Sequence, residues 1–439
     1  MSSSSPPVPV DLGSPVPGAA RRSAGGVDVA TPWDDRYAQR TRGMTSSIIR
    51  ELLKLTEAPD VISFGGGLPA PEVFPRQEIR DAVSFILSRP DSAALQYSTT
   101  EGHRPLRELF VRHMARYGIR VGPENVLVTS GSQQALDLIG KLLVNPGDHI
   151  LTEAPTYLGA VQAFNAYQAE YLTVPVDDDG LDTDRLEEQL RGGPKFLYVL
   201  PNFQNPGGVT LSLARRRRLV ELANRYGAPM IEDDPYGQLR YEGEHLAPLV
   251  TLDAEYHGCA NGEKRFTGDV IYLSTLSKTL APGLRIGWIV APEAVIQKLV
   301  QIKQGADLHT STFCQHVAYE VAREGFLDRH VKRIRSVYGV RRDAMLAALE
   351  RHAPPGVRWT RPQGGLFLWL TAPKGIDTLA LLGEALKEKV AFVPGAPFYP
   401  KGGGQESMRL NFSYCPPDVI DEGIRRLSRV LERAITEGR

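Results

Sequence analysis

The chain reads as an α/β protein, a layered sheet domain followed by a smaller α+β one. Three observations predict this. From Val61 onward, short β-branched apolar runs alternate with longer amphipathic ones. Five of the short runs end in clusters of polar residues, Gly or Pro. Beyond Gln315, long helical patterns lead to a β-like pair and two further helical segments.

The five short runs are VLVTSG over 126–131, HILTEAP over 149–155, FLYVLPN over 196–202, PMIEDDP over 229–235 and VIYLSTLS over 270–277. Near-continuous apolar runs are what parallel strands buried on both faces look like, and ligands gather outside the carboxyl ends of such strands. Five strand ends are therefore expected to converge on one site. Helices separate them. Gln133 to Leu143 has apolar residues at helical spacing after a Gly-Ser turn, and Leu213 to Tyr226 is the next such run. The latter carries four consecutive arginines, Arg215 to Arg218, which we read as a solvated helix face rather than a nucleic-acid patch. Tyr241 to Asp269 breaks the rhythm with Gly, Asn and charge and is expected to be a long surface loop. The β-like pair spans 359–369, and the last two helical segments lie around 378–388 and 418–434. The expected division is a disordered leader over 1–40, a joining segment over 41–74, a large domain over 75–314 and a small one over 315–439.

Bulk numbers exclude several classes. Lys plus Arg and Asp plus Glu both total 51, so nothing points to nucleic acid or an anionic membrane as partner. No apolar run approaches a bilayer span. Cys259, Cys314 and Cys415 lie far apart with no C-x-x-C pair, which suits a reducing compartment; a cytoplasmic location is the expectation. Arg21 and Arg22 lack the apolar stretch that an export signal needs after them.

The strand ends carry the chemistry. TSGSQQ over 129–134 sits between a strand and a helix, where free N–H groups, the helix dipole and hydroxyls favour a phosphate, although many capped helices begin this way. Tyr157 suits stacking on a planar ring, and equally the rim of a core. Asn205 lies among turn formers. Asp233 and Asp234 end an apolar strand, with Tyr236 following; burying them requires a cation. A protonated pyridine nitrogen would serve. A divalent metal is the competing reading, without further ligands at metal spacing nearby. Lys278 follows a buried strand among hydroxyls, with Arg285 seven positions on. Desolvation lowers a lysine pKa, and the neutral amine is the nucleophile for a Schiff base. Arg285 and the hydroxyls suit a phosphate dianion. Taken singly, Lys278 could be a strand-end surface lysine.

The ordered set SFGGGLP (63–69), QYSTTEG (96–102), SGSQQ (130–134), QNPGG (204–208), DDPY (233–236), SK (277–278) and PGLR (282–285) resembles fold-type I pyridoxal-phosphate enzymes. Within them it resembles the class I/II aminotransferases, in particular the 2-aminoadipate and kynurenine aminotransferase subgroup. The resemblance runs from about Ser47 to the C-terminus. It implies a large cofactor domain with a mostly parallel seven-stranded sheet sandwiched by helices, plus the smaller α+β domain. By resemblance, Lys278 holds pyridoxal 5'-phosphate and shuttles the proton, while Asp233 keeps the pyridine nitrogen protonated. Asn205 and Tyr236 bond the phenolic oxygen, and Tyr157 stacks on the ring. Ser132, Gln133, Thr275, Ser277 and Arg285 hold the phosphate. Tyr97 matches a tyrosine that reaches the neighbouring subunit's phosphate, which implies a homodimer with shared sites. Arg409, in SMRLNF over 407–412, matches the arginine that clamps the substrate carboxylate, aided by Asn205. Ser47 and Arg50 match a mobile helix that recognises side chains; Arg50 is either that group or a solvated helix arginine. Gly66 and Gly67 line the same region. Thr275 stands where Ser is common and Pro235 where Ala is.

The resemblance implies transfer of an amino group from an L-amino acid of 2-aminoadipate, aromatic or branched-chain type to a 2-oxo acid such as 2-oxoglutarate, by a ping-pong sequence. A β-lyase or other pyridoxal-phosphate enzyme on the same fold is the alternative. A transcription regulator of this fold would carry a helix-turn-helix ahead of it, and the Ser/Pro-rich 1–40 reads as too short and too poor in helix pattern for one.

Overall fold

The computed structural model describes residues 32–44, 60–91, 93–259 and 266–437. In chain order the strands are β1 (Ile62–Ser63), β2 (Val126–Thr129), β3 (His149–Ala154), β4 (Glu170–Asp177), β5 (Gly180–Leu181), β6 (Phe196–Val199) and β7 (Met230–Asp233). They continue as β8 (Val270–Thr275), β9 (Gly287–Val290), β10 (Arg358–Trp359), β11 (Phe367–Thr371), β12 (Val390–Ala391), β13 (Val393–Pro394) and β14 (Ser407–Asn411).

The large sheet has the order β2-β9-β8-β7-β6-β3-β4-β5. β4, β3, β6, β7 and β8 run parallel, β9 runs antiparallel between β8 and β2, and the two-residue β5 folds back on β4. This is the mostly parallel seven-stranded sheet of the expectation, with a short eighth strand at its edge.

Alternation along each strand explains why both faces must be covered. Val126, Val128, Leu151, Leu197, Val199, Met230, Val270 and Tyr272 enter one core. Their neighbours Leu127, Ile150, Phe196, Tyr198, Ile231, Ile271 and Leu273 enter another on the opposite face. With period-2 side chains and helices on each side, no face is left for water. The smaller body has an antiparallel sheet, β10-β11-β14-β13, and β1 pairs in parallel with β12. Its core joins Phe64 to Met345, Leu368, Leu370, Met408, Leu410, Ile424 and Leu427. The helices Phe326–His352 and Pro417–Glu437 cover it.

Two expectations are corrected. The stretch from Tyr241 to Asp269 is not a plain loop, because it contains the helix Leu249–Tyr256, most of which is buried. The Glu232 carboxylate accepts from the Leu249 and Val250 N–H groups at 2.8 Å each, capping that helix from the interior. Nor are the four arginines one solvated face. Helix Leu213–Tyr226 forms as expected, but Arg216 is fully buried. It donates to the carbonyls of Leu211 (2.8 Å), Pro201 (2.8 Å) and Ala247 (3.1 Å) and to Asn202 Oδ1 (2.6 Å). Backbone carbonyls in a buried turn need donors, and this guanidinium supplies them. Arg215 instead pairs with Asp177, and Arg218 with Glu221.

Candidate active site

The carboxyl ends of β2, β3, β6, β7 and β8 share one edge of the large sheet, so the segments after them face a common space. β9 begins at that edge, with Gly287 beside both Thr275 and Thr129. The glycine is required there: an added Cβ would stand 2.7 Å from Gly131 C and 2.8 Å from Ser132 N. Gly131 itself has φ 78 and starts the helix Ser132–Leu143, and a side chain on it would collide with the Arg285 guanidinium.

The turn so formed is rich in donors. Ser132 Oγ is buried with no hydrogen-bond partner. Arg285, with a left-handed backbone (φ 54), reaches over to donate from Nη2 to Ser130 O at 3.3 Å. Thr275 Oγ1 donates to Ile286 O (2.9 Å), accepts from the Ser277 N–H (3.1 Å) and lies 2.9 Å from Ser277 Oγ. Gln133 turns its side chain away, donating to Gly159 O at 2.8 Å. Hydroxyls, a helix start and one guanidinium make a cradle for a dianion.

Asp233 ends β7 and is buried. Its Oδ2 accepts from Tyr198 Oη at 2.7 Å, while Oδ1 has no partner. Burial drives its pKa up to about 7 against the pull of the Tyr198 hydroxyl, and Asp234 pushes it further up. Asp234 belongs to the scaffold instead. It accepts from Asn202 Nδ2 (3.0 Å), the Gly237 N–H (2.8 Å) and Tyr272 Oη (3.1 Å). Among the described residues no group of three His, Cys, Asp or Glu side chains is placed to hold a metal.

Lys278 follows β8 and is partly buried. Its Nζ donates to Gly67 O at 2.8 Å. Burial, reinforced by Arg409 and then Arg285, lowers its pKa to about 8, so roughly a tenth of the amine is neutral at pH 7, far more than for an ordinary lysine. Tyr236 is buried and its phenol pushed well up by desolvation, with Asn205 tempering the effect. Burial also raises the pKa of Tyr157, which lies within electrostatic reach of Asp233 and Arg409.

Arg409 points from β14 across to the large sheet. Its guanidinium is buried, donating to Asn205 Oδ1 (2.9 Å) and Gly65 O (2.8 Å), and it lies over the Phe367 ring at 4.2 Å. Nε has no partner. Burial lowers its pKa to about 10, which still leaves it charged at neutral pH.

The structure thus brings Lys278, Asp233, Tyr236, Asn205, Tyr157, Gly67 and Arg409 together beside the turn of Ser132, Thr275, Ser277 and Arg285. It does not bring Tyr97 to them within one chain. That ring is 80% exposed and, among the described residues, meets the ring of His309 in a T-shaped contact at 5.8 Å. Ser47 and Arg50 lie outside the described residues. The sequence reading omitted Tyr198 and the Gly65 carbonyl. Tyr198 had a signal: it pairs with Ile231, two residues before Asp233, and period-2 alternation puts both side chains on one face.

The pieces fit pyridoxal phosphate. Asp233 Oδ1 is a buried acceptor awaiting a donor, Ser132 Oγ and Arg285 await an anion, and Lys278 offers a primary amine.

Comparison with known proteins agrees. The chain matches the family described as aminotransferase class I and II over residues 64–427. It is 47% identical to aromatic-amino-acid aminotransferase 1 of Thermococcus litoralis, covering 91% of this chain and 95% of that one. It is 45% identical to the 2-aminoadipate transaminase of Thermus thermophilus, covering 91% and 97%. An alpha-aminoadipate aminotransferase from the same species, solved complexed with N-(5'-phosphopyridoxyl)-L-leucine, superposes with TM-score 0.85 at 44% identity, covering 92% of this chain and 99% of that one. The chain belongs to the class I and II aminotransferases, enzymes of the fold-type I architecture that transfer amino groups with pyridoxal phosphate as cofactor.

Proposed function

We propose that this enzyme moves the amino group of an L-amino acid of 2-aminoadipate, aromatic or branched-chain type to a 2-oxo acid such as 2-oxoglutarate. The donor product leaves before the acceptor enters, so both half-reactions use one site. The names of the relatives support the substrate class, and the carrying observation is the pair of unpartnered buried atoms Asp233 Oδ1 and Arg409 Nε beside a lysine amine.

When bound, pyridoxal phosphate supplies an aldehyde for amines and a protonated ring that accepts the electron pair released at the substrate Cα. The chain's own residues do the rest. Lys278 would anchor the cofactor through its amine and would carry the proton to and from the substrate Cα, a role its lowered pKa favours. Asp233 holds the proton on the ring nitrogen. Tyr236 and Asn205 would bond the cofactor's phenolic oxygen, and Tyr157 would offer its face to the ring. Ser132, Thr275, Ser277 and Arg285 would hold the phosphate with their side chains, and Gln133, whose side chain is turned to Gly159 O, would do so with its backbone N–H at the helix start. Arg409 takes the substrate carboxylate, present in amino acid and oxo acid alike, with Asn205 and Gly67 shaping the space and Ser47 and Arg50 meeting the side chain.

A homodimer with shared sites is part of this reading. The exposed Tyr97 would complete the phosphate site of the neighbouring subunit, which accounts for a large aromatic surface with so little to touch in its own chain. We place the enzyme in the cytoplasm; the three cysteines are free, and no described helix is long and apolar enough to cross a membrane. Separate cores support a division into a large and a small domain, but Val317, Ala318, Val321, Ala322, Leu327 and Val331 still pack into the large core, so the handover lies within helix Phe326–His352, between Val331 and Met345, rather than at the expected 314/315.

A panel of amino donors against 2-oxoglutarate, with glutamate as the product followed, tests the assignment. Aminoadipate, aromatic or branched-chain donors should yield glutamate, and Lys278→Ala should abolish turnover. Release of ammonia and pyruvate without glutamate, or wild-type turnover by Lys278→Ala, would refute it.

A further inference from the structure

One ion pair, between a buried lysine and a solvent-exposed aspartate, has no part in the mechanism above. Lys303, in the helix Glu293–Gln304, is fully buried, and its Nζ donates to Asp307 Oδ1 (2.7 Å) and Oδ2 (2.8 Å). Its third proton goes to Gln134 Oε1 at 2.7 Å. An ammonium has three donors, and all three are used. The network then closes on itself. Gln134 Nε2 donates to Asp307 Oδ2 (2.7 Å), and Gln134 Oε1 also accepts from the Ser130 N–H (2.8 Å). Ser130 Oγ stands 3.3 Å from Asp307 Oδ2 and 3.4 Å from Thr310 Oγ1.

Its location gives this network its meaning. Ser130 opens the turn whose carbonyl receives Arg285 and whose next residues are Gly131 and Ser132. Asp307 and Thr310 flank His309, whose Nε2 accepts from the Ser98 N–H (3.3 Å) and whose ring meets Tyr97. Burying a lysine is costly even when it is paired, and an apolar residue of similar length would fill the space without that cost. A pair kept in such a place fixes geometry, and the geometry it fixes is that of the phosphate turn. We infer that Lys303, Asp307 and Gln134 are positioning residues that hold the Ser130–Ser132 turn in register for the cofactor phosphate. The inference rests on the assignment of that turn and Arg285 to the phosphate.

The test is equilibrium titration of the cofactor-free full-length chain with pyridoxal 5'-phosphate and, separately, with pyridoxal, which lacks the phosphate. Gln134→Met severs the link to Ser130 and leaves the ion pair in place. Lys303→Met/Asp307→Leu removes the pair in an apolar exchange. Each should weaken pyridoxal 5'-phosphate binding by about tenfold, the effect of losing one charge-assisted hydrogen bond, while pyridoxal binding stays at the wild-type level. Unchanged binding of both ligands by Gln134→Met would overturn the inference. So would an equal loss for both, which marks a general structural defect. Arg285→Ala in the same titration tells the two readings apart. If it keeps the wild-type preference for the phosphorylated form, the phosphate assignment itself fails. If it loses that preference while Gln134→Met keeps it, only the present inference fails.

Discussion

Replacing Asp233 with asparagine should stabilise the cofactor-free protein at high pH and impair it once the cofactor is present. The sign follows from proton linkage. In the folded cofactor-free chain Asp233 titrates near 7, against an ordinary value of 3.8, because burial penalises its charge. Below about pH 4 the carboxyl is protonated whether the chain is folded or not, and Asp233 contributes no penalty. Between those values the folded chain holds a proton that the unfolded chain has released, so stability falls as pH rises. Each tenfold change in proton affinity is worth about 1.4 kcal/mol, so above pH 7 the penalty is at most about 4 kcal/mol. Asparagine keeps an oxygen for the Tyr198 hydroxyl and never ionises. Glu232, raised to about 7, and Glu153, raised to about 8, slope the same way in both proteins and cancel in the difference. Denaturant midpoints for wild type and Asp233→Asn, cofactor-free, at about pH 5 and pH 8 give the measurement. The variant's advantage should widen with pH. Adding pyridoxal phosphate should then reverse the order at pH 8, since a protonated ring nitrogen supplies the cation that Oδ1 lacks. A difference that does not vary with pH, or a variant that gains as much from the cofactor as wild type does, would refute the reasoning.

Two other outcomes follow from the same geometry. Arg409→Lys gives up the planar fork and the Nε donor, so kcat/KM for amino acids should fall by about 10²-fold with little change in cofactor affinity, as steady-state kinetics and cofactor titration would show. Tyr97→Ala removes an exposed ring and should leave the unfolding midpoint within about 0.5 kcal/mol of wild type. It should nevertheless weaken cofactor binding, and sedimentation with parallel activity assays should find no fully active monomer.

How much of this was legible depends on where the partners of each residue come from. The five strands buried on both faces announce themselves, because each is a largely apolar run that gives way to polar residues where its end must turn. β4, beside the short edge strand β5, does not. Its burial alternates irregularly from Glu170 to Asp177, with charged residues at both ends, and a run of that kind reads as a loop. β9 is only four residues long and merges with the Lys278–Arg285 motif. Lys278, Asp233 and Asn205 follow strands, which marks them as candidates, but it is their ordered set, through its resemblance to a known family, that made them recognisable. Arg216 was not. Four carbonyl and amide acceptors gathered from Pro201, Asn202, Leu211 and Ala247 bury it, and only tertiary structure assembles them. The helix Leu249–Tyr256 was hidden for a similar reason, since its cap is a glutamate from β7 rather than a neighbour in sequence.

The stretch just after β1 has a consequence of its own. Lys278 is held by the carbonyl of Gly67 and Arg409 by that of Gly65, while Phe64 O accepts from the Asn411 N–H at 2.8 Å. Both cations are therefore held by main-chain atoms, which every amino acid supplies alike. Point changes along 65–68, outside the core residue Phe64, can recontour the surface that a substrate meets without depriving either cation of its acceptor. Inserting or deleting a single residue there would shift both acceptors at once. Divergence in this stretch should thus proceed by exchange of side chains at constant length.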